Sequence, residues 1–177
     1  MKTEMIFSGF GGQGALTIGR FVAQAAMKEG KNVSWLPSYG PEMRGGTANV
    51  STIVSEKPIA SPLVSNPNLL VALNQPSLDK FGGNVAAKGL IILNTDMCPN
   101  IVKRKGITYI EAPLNSMAQE IGSMKILNMI AIGIIITKTG LIQFKTIEAV
   151  LKEYMKGKDA KLLEMNLVAI KKGMEIK

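Results

Sequence analysis

The chain has 177 residues, 46% hydrophobic and 5% aromatic, which fits one domain with an aliphatic, methionine-containing core. It carries a formal net charge of +8, but its lysines are not interleaved with stacking aromatic side chains, which disfavours nucleic-acid binding. With no histidine and one cysteine, the chain cannot form an internal disulfide or supply four thiolates to an iron–sulfur cluster.

Strands and helices are predicted to alternate in the first half. A strand at Lys2–Ser8 precedes an amphipathic helix at Ala15–Glu29, and Gly30 ends that helix. A second strand at Asn32–Leu36 would run parallel to the first in a right-handed β-α-β unit. Ala48–Ser55 alternates between apolar and polar residues, which predicts a strand with one wetter face.

The second half continues this alternation and then becomes helical. A short apolar strand is predicted at Leu69–Leu73, a helix start at Gln75, and further strands at Leu90–Asn94 and Thr108–Glu111. The remaining predicted helices are Asn115–Ile121, Ile126–Thr137, Phe144–Met155 and Ala160–Lys172. We therefore predict one α/β domain over residues 1–177, with a Rossmann-like, doubly wound, mainly parallel sheet and a helical C-terminal third.

Three features of the sequence bear on the cellular location of the protein. The single cysteine, Cys98, follows a predicted strand; we interpret it as a structural thiol, and it favours a reducing, cytoplasmic setting. No signal peptide is visible, because Met1–Glu4 leads directly into a strand. The longest apolar stretch, Met124–Thr137, is shorter than the roughly 20 residues that span a bilayer. We predict a buried helix there and no membrane association.

The first glycine-rich segment lies between the first strand and the first helix. It satisfies the G-x-G-x-x-G pattern through Gly9, Gly11 and Gly14, and such a loop can direct backbone N–H groups towards an anion at a helix N-terminus. A dinucleotide enzyme would carry an acid at the end of the second strand, where this chain has Leu36–Tyr39. A free-standing nucleotide-binding Rossmann enzyme is therefore the weaker alternative. Gln13 either hydrogen-bonds a ligand or caps its own helix.

The second segment, Ser38–Gly46, follows the second strand and is rich in special backbone residues. Its arginine, Arg44, has the fork geometry that grips a phosphate or carboxylate, unless it pairs internally with Glu42. Carboxyl ends of neighbouring parallel strands share one crevice, so both segments should line it. The candidate site comprises Gly9, Gly11, Gly12, Gln13, Gly14, Ser38, Tyr39, Gly40, Glu42, Arg44, Gly45 and Gly46.

The two segments together resemble the gamma subunits of the 2-oxoacid:ferredoxin oxidoreductases, whose hallmarks are G-x-G-G-Q-G followed by S-Y-G-P-E-x-R-G-G. The likeness continues through Thr47–Val50 and Asn74–Ser77 and covers essentially the whole chain. It implies a Rossmann-like subunit of an enzyme that converts a 2-oxoacid and coenzyme A into acyl-CoA, carbon dioxide and reduced ferredoxin. The sequence of the second segment narrowly favours 2-oxoglutarate over 2-oxoisovalerate or pyruvate as the substrate of that enzyme.

The resemblance also implies which subunits of the complex would hold the cofactors. Thiamine diphosphate, magnesium and iron–sulfur clusters would lie in alpha, beta and delta subunits, and ferredoxin would be reached through that complex. This chain would bind none of these cofactors, contribute no catalytic residue and be inactive alone; the absence of a Gly-Asp-Gly segment agrees. Coenzyme A is its one expected ligand, with Gly11, Gly12, Gln13 and Arg44 near it. An assembly module whose glycine loops only contact partners is the alternative, and the isolated chain would expose an apolar patch or homodimerise.

Overall fold

A computed structural model describes residues 1–38, 47–157 and 159–177. One six-stranded sheet has the order β2-β3-β1-β4-β5-β6. Its strands are β1 (Lys2–Phe10), β2 (Asn32–Ser38), β3 (Thr47–Ser55), β4 (Leu69–Ala72), β5 (Leu90–Asn94) and β6 (Thr108–Ala112). Strands β1, β4, β5 and β6 pair in parallel, whereas β3 pairs antiparallel with β1 and β2. The predicted α/β class and mainly parallel sheet are confirmed.

The position of β2 differs from the simple β-α-β expectation. It runs in the same direction as β1, but β3 lies between them and pairs with both. The alternation in β3 is as predicted: Val50 and Val54 are buried on one face, while Asn49 and Ser51 on the other are half-exposed. Strand β2 forms the edge of the sheet next to β3, and its Trp35 is 38% exposed. This edge of the sheet is therefore less covered than its centre.

The helices match the predicted positions within about two residues, as expected for their frayed ends. They are α1 (Ala15–Lys28), α2 (Gln75–Phe81), α3 (Leu114–Ile121), α4 (Leu127–Thr139), α5 (Phe144–Tyr154) and α6 (Ala160–Met174). The clearest difference precedes α4, where a short 3-10 helix occupies Met124–Ile126. There the side chain of Ser123 accepts a hydrogen bond from the backbone N–H of Lys125 at 3.2 Å and caps the start of this turn, and α4 follows directly at Leu127.

The two faces of the sheet are covered unequally. Helices α1, α3, α4, α5 and α6 pack on one face and form the larger core with side chains such as Phe7 and Val71. The other face carries α2 and connecting segments around a smaller core that includes Leu70 and Cys98. Every residue from Leu127 to Ile136 is buried, which confirms the predicted buried helix. Among the described residues, no helix combines the length and apolarity needed to cross a membrane.

Helices α4 and α6 cross at two glycines. A Cβ atom on Gly133 would lie 2.0 Å from the carbonyl oxygen of Ile170, and one on Gly173 would lie 2.0 Å from the carbonyl oxygen of Ile130. These distances leave no room for any side chain, so the two backbones are in direct contact. The crossing joins the last helix to the core and gives the helical C-terminal third its position.

Candidate functional site

The two glycine-rich segments begin and end at the same edge of the sheet. Phe10, the last residue of β1, pairs with Thr47, the first residue of β3. Ser38 at the end of β2 pairs with Asn49, which pairs in turn with Ser8. Six predicted site residues, Tyr39, Gly40, Glu42, Arg44, Gly45 and Gly46, lie outside the described residues, so their place in the site stays a prediction.

The first glycine loop forms a tight turn that leads into α1. The backbone N–H of Gln13 donates to the carbonyl oxygen of Phe10 at 3.1 Å, and Gly12 and Gly14 adopt positive φ values of 92° and 83°. Gly14 is the N-cap of α1, and no side chain caps this helix end. The N–H groups of the first turn therefore have no intrahelical acceptor. Together with Ala48, the loop and this turn line a cavity of about 270 Å³.

The glycines of the loop differ in why they must be glycine. A Cβ on Gly9 would lie 2.9 Å from Oε1 of Gln13, so packing excludes a side chain there. Gly12 needs its positive φ. Gly11 has neither requirement: no atom of residues 1–38, 47–157 or 159–177 lies within 4 Å of a Cβ built on it, and its φ is outside the left-handed region. Packing within the described chain therefore gives no reason for glycine at position 11.

Gln13 holds the loop against the neighbouring strand. Its Oε1 accepts hydrogen bonds from the backbone N–H of Phe10 at 2.6 Å and from Nδ2 of Asn74 at 3.1 Å. Its Nε2 donates to the carbonyl oxygen of Leu73 at 3.2 Å. The alternative in which Gln13 caps its own helix is therefore wrong, because the cap of α1 has no side-chain hydrogen bond. A contact between Gln13 and a ligand stays a prediction.

Two buried asparagines at this edge, Asn74 and Asn94, were not among the predicted site residues. The Oδ1 of Asn74 accepts from the backbone N–H of Ser77 at 2.9 Å and caps α2. Asn94 donates from Nδ2 to the carbonyl oxygen of Leu73 at 3.2 Å, and its Oδ1 accepts from the backbone N–H of Leu114 at 3.0 Å. Both are fully buried. In the sequence, each of them could have been recognised as an amide side chain at the end of a predicted apolar strand.

A third asparagine, Asn128, lies in the first turn of α4 and packs against the glycine loop. Its Nδ2 would lie 2.7 Å from a Cβ on Gly14, which explains why position 14 tolerates only glycine. The residue is 6% exposed, and its Oδ1 accepts from the backbone N–H of Met129 at 3.1 Å. In the part of the chain that the structure describes, Nδ2 has no acceptor. This donor beside the loop is not sealed from solvent, so it can bind water or a further group.

Cys98 lies under the same edge in the smaller core. Burial raises the pKa of its thiol to about 11, although a backbone hydrogen bond from Asn94 opposes this effect and the nearby charge of Asp79 adds to it. The thiolate is the reactive form of cysteine, and a pKa this high leaves the thiol neutral at physiological pH. The residue is buried, which agrees with the structural role expected from the sequence.

Comparison with known proteins gives matches over nearly the whole chain. The family model described as "Pyruvate ferredoxin/flavodoxin oxidoreductase" matches residues 4–176. The ketoisovalerate oxidoreductase subunit VorA of Methanothermobacter marburgensis is 36% identical over 98% of this chain, which spans only 36% of VorA. The 2-oxoglutarate synthase subunit KorC of Methanocaldococcus jannaschii is 31% identical, with 99% of this chain and 94% of KorC covered.

Solved structures show the same fold. The gamma subunit of a keto/oxoacid ferredoxin oxidoreductase from Geobacter sulfurreducens has a TM-score of 0.83 and 26% identity, covering 98% of this chain and 96% of that one. A 2-oxoglutarate:ferredoxin oxidoreductase from Magnetococcus marinus, solved with 2-oxoglutarate, coenzyme A and succinyl-CoA bound, has a TM-score of 0.89 at 21% identity, covering 98% of this chain and 30% of that one. At 21% identity this likeness shows the fold alone. The predicted resemblance is confirmed: the chain belongs to the pyruvate ferredoxin/flavodoxin oxidoreductase family.

Proposed function

We propose that this chain is the gamma subunit of a 2-oxoacid:ferredoxin oxidoreductase and that its glycine loop positions coenzyme A. In that complex, alpha, beta and delta subunits would hold thiamine diphosphate, magnesium and iron–sulfur clusters, and would pass electrons to ferredoxin. The complex would be cytoplasmic. The chain itself would bind and orient one substrate while the bond-making steps take place on its partners.

The observation that carries this proposal is Gly11. It lies in a loop whose neighbouring N–H groups line a cavity at the uncapped start of α1, and no atom of the described chain occupies the space beside it. Phosphate oxygens bind well at such a helix start, because the free N–H groups and the helix dipole both favour negative charge. Coenzyme A carries phosphates, and the net charge of +8 favours an anionic ligand.

Two further features support a ligand at this edge. Nδ2 of Asn128, which has no acceptor among the described residues, lies next to Gly14 and can donate a hydrogen bond to a ligand there. The second glycine-rich segment leaves and re-enters the sheet at Ser38 and Thr47, at the same edge. We propose that Arg44, within that segment, binds a phosphate of coenzyme A.

The same opening beside Gly11 suits a second candidate function, in which a partner subunit rather than a ligand approaches the loop. Backbone from another chain can come closest where a side chain is missing. In that case the chain is an assembly module. The two candidates differ in what a mutation in the loop changes: the affinity for coenzyme A in one, the stability of the complex in the other.

We propose 2-oxoglutarate as the 2-oxoacid substrate of the complex, on the basis of the sequence of the second glycine-rich segment. The relatives are named for more than one 2-oxoacid, ketoisovalerate for VorA and 2-oxoglutarate for KorC. The acid itself would be recognised by partner subunits. A substrate panel with 2-oxoglutarate, 2-oxoisovalerate and pyruvate on the purified complex tests this choice directly, and a higher kcat/KM for either competitor would overturn it.

The central experiment uses the complex purified from its native host. We expect Arg44→Ala to raise the KM for coenzyme A while leaving the KM for the 2-oxoacid unchanged, because only the phosphate contact is lost. Arg20→Ala is the matched control, since Arg20 lies over the ring of Tyr154 on the outer side of α1. If Arg44→Ala assembles normally and keeps its KM for coenzyme A, Arg44 is not part of the site. Loss of assembly instead would favour the assembly module.

A further inference from the structure

The glycine loop is held in place by a chain of partly buried hydrogen bonds that reaches a different helix. Gln13 contacts the loop at the backbone N–H of Phe10 and contacts β4 through the carbonyl oxygen of Leu73. Its Oε1 also accepts from Asn74, which belongs to the start of α2 on the opposite face of the sheet from α1. The conformation of the loop is thus connected to a residue 61 positions away in sequence.

Asn74 uses both ends of its side-chain amide. The Oδ1 end caps α2 at the backbone N–H of Ser77, at 2.9 Å, and the Nδ2 end donates to Oε1 of Gln13 at 3.1 Å. The residue is 0% exposed; its bond to Ser77 is buried and its bond to Gln13 is partly buried. An aspartate or serine could also cap a helix, but serine is too short to reach Gln13 and ionised aspartate has no donor. Asparagine meets both demands in one uncharged side chain.

We infer that Asn74 is a positioning residue for the ligand site: acting through Gln13, it holds the glycine loop in the conformation that presents its N–H groups. The inference rests on the proposed function, because it assigns Asn74 a part in the binding of coenzyme A. The physical reason is preorganisation. A loop already fixed in its binding geometry loses less conformational freedom when the ligand binds, so affinity is higher than for the same loop left mobile.

Two bonds within the loop depend on this arrangement. The N–H of Phe10 is protected by Oε1 of Gln13, and the N–H of Gln13 is protected by the carbonyl oxygen of Phe10. Without Asn74, Gln13 keeps only its bond to Leu73 as an anchor outside the loop. Both N–H groups should then exchange with solvent more readily. The N–H of Ser77 reports separately on the cap of α2.

The test compares Asn74→Ser with Asn74→Ala in the full chain, by amide hydrogen exchange without ligand. Serine keeps the α2 cap and removes the bond to Gln13, whereas alanine removes both. We expect exchange at Phe10 and Gln13 to rise about fivefold in both variants, the change typical of one neutral hydrogen bond. Exchange at Ser77 should rise only in Asn74→Ala. Unchanged exchange at Phe10 and Gln13 in both variants would overturn the inference.

A third variant tests whether Asn74 acts through Gln13. Gln13→Met removes the same link from the loop side and leaves the cap of α2 intact. If Asn74 acts through Gln13, the double variant Asn74→Ser with Gln13→Met should match Gln13→Met alone in exchange at Phe10. Additive effects of the two substitutions would contradict that route, because independent sites add.

The functional readout is steady-state kinetics of the assembled complex with coenzyme A. We expect Asn74→Ser to raise the KM for coenzyme A about fivefold, with kcat and the KM for the 2-oxoacid unchanged. A merely structural role would change all three together or none. If the loop exchanges faster but the KM for coenzyme A stays at the wild-type value, the positioning role is wrong. If the wild-type complex does not use coenzyme A, the proposed function fails, and the exchange data still decide whether Asn74 holds the loop.

Discussion

Glycines lie in two regions of this molecule that differ in the space around them. At the crossing of α4 and α6, Gly133 and Gly173 allow two backbones to touch, and a Cβ at either position would lie 2.0 Å from a carbonyl oxygen. After β1, no atom of the described residues lies within 4 Å of a Cβ built on Gly11 or Gly12. The first region is closed by the fold itself. The second is open among the described residues, so the space beside it can take a group from outside them.

The reason for each glycine in a motif follows from the atoms around it and from its backbone conformation. A glycine that the fold needs is explained by its own neighbours or its own φ. Gly11 is explained by neither, and it lies in the segment on which the family resemblance rests. The described chain therefore supplies a packing reason for the helix crossing and none for this loop position. Three glycine substitutions test this difference, and one substitution of a charged residue, Glu29, falls between them in its expected effect on stability.

The largest effect is expected at the helix crossing. Gly133→Ala should lower the free energy of unfolding by about 3 kcal/mol or more, because its Cβ would collide with backbone that cannot move without separating α4 from α6. Denaturant unfolding of the full chain measures the change. Gly83→Ala is the matched control, since a Cβ there has no atom within 4 Å and should change stability by less than about 0.5 kcal/mol. Equal effects at both positions would contradict a tight crossing.

A smaller effect is expected at Gly12. Its φ of 92° is unfavourable for alanine, so Gly12→Ala should lower the free energy of unfolding by about 1–2 kcal/mol although the surrounding space is open. Thermal and denaturant unfolding measure this cost. Gly12→Asn is the control, because asparagine tolerates the left-handed region better than alanine and should recover part of the loss. A variant as stable as wild type would show that the turn adopts another conformation.

The far end of α1 provides the next comparison, because the carboxylate of Glu29 links it to the start of α5. Oε1 of Glu29 accepts from the backbone N–H of Gln143 at 2.7 Å, and Oε2 accepts from Nζ of Lys31 at 2.9 Å. Desolvation by burial tends to raise the pKa of this carboxyl, but these hydrogen bonds outweigh it and the pKa is lowered. The contribution to stability is therefore present above the ordinary glutamate pKa of about 4.3 and is lost as pH falls through the lower folded value.

Glu29→Gln should therefore remove less than about 1 kcal/mol at neutral pH, where the charge-assisted contacts are formed. The difference between wild type and variant should shrink at acidic pH, once the wild-type carboxyl is protonated. Unfolding free energies measured at pH 7 and near pH 3 check both statements. Glu153→Gln is a control, because that carboxylate pairs with Lys28 at the surface and is 69% exposed. A pH-independent difference would exclude ionisation of Glu29 as the cause.

The smallest effect on stability is expected at Gly11. Gly11→Ala should change the free energy of unfolding by no more than about 0.5 kcal/mol, because neither contact nor backbone conformation opposes a methyl group. In the assembled complex the same substitution should raise the KM for coenzyme A, since the methyl group would occupy the space beside the loop. Unchanged stability together with unchanged kinetics and assembly would remove the evidence for an external group at Gly11.

Much of this architecture follows from the sequence, because the signals are local. Apolar runs of strand and helix type, separated by turn residues, predict the order of the elements and the buried helix α4. The two glycine-rich segments predict the family, and the strand that precedes Gly9 places the loop at the carboxyl edge of the sheet. Each of these inferences needs only the residues within one element or one loop.

Contacts between distant segments required the tertiary structure. The insertion of β3 between β1 and β2 depends on pairing partners, which the alternation in Thr47–Ser55 does not name. The role of Gln13 depends on Asn74, and the need for glycine at position 133 depends on position 170, so neither can be recognised from flanking residues. A short-range pattern specifies what an element is. The backbone or side chain that an element contacts depends on how all the elements pack together in one dense core.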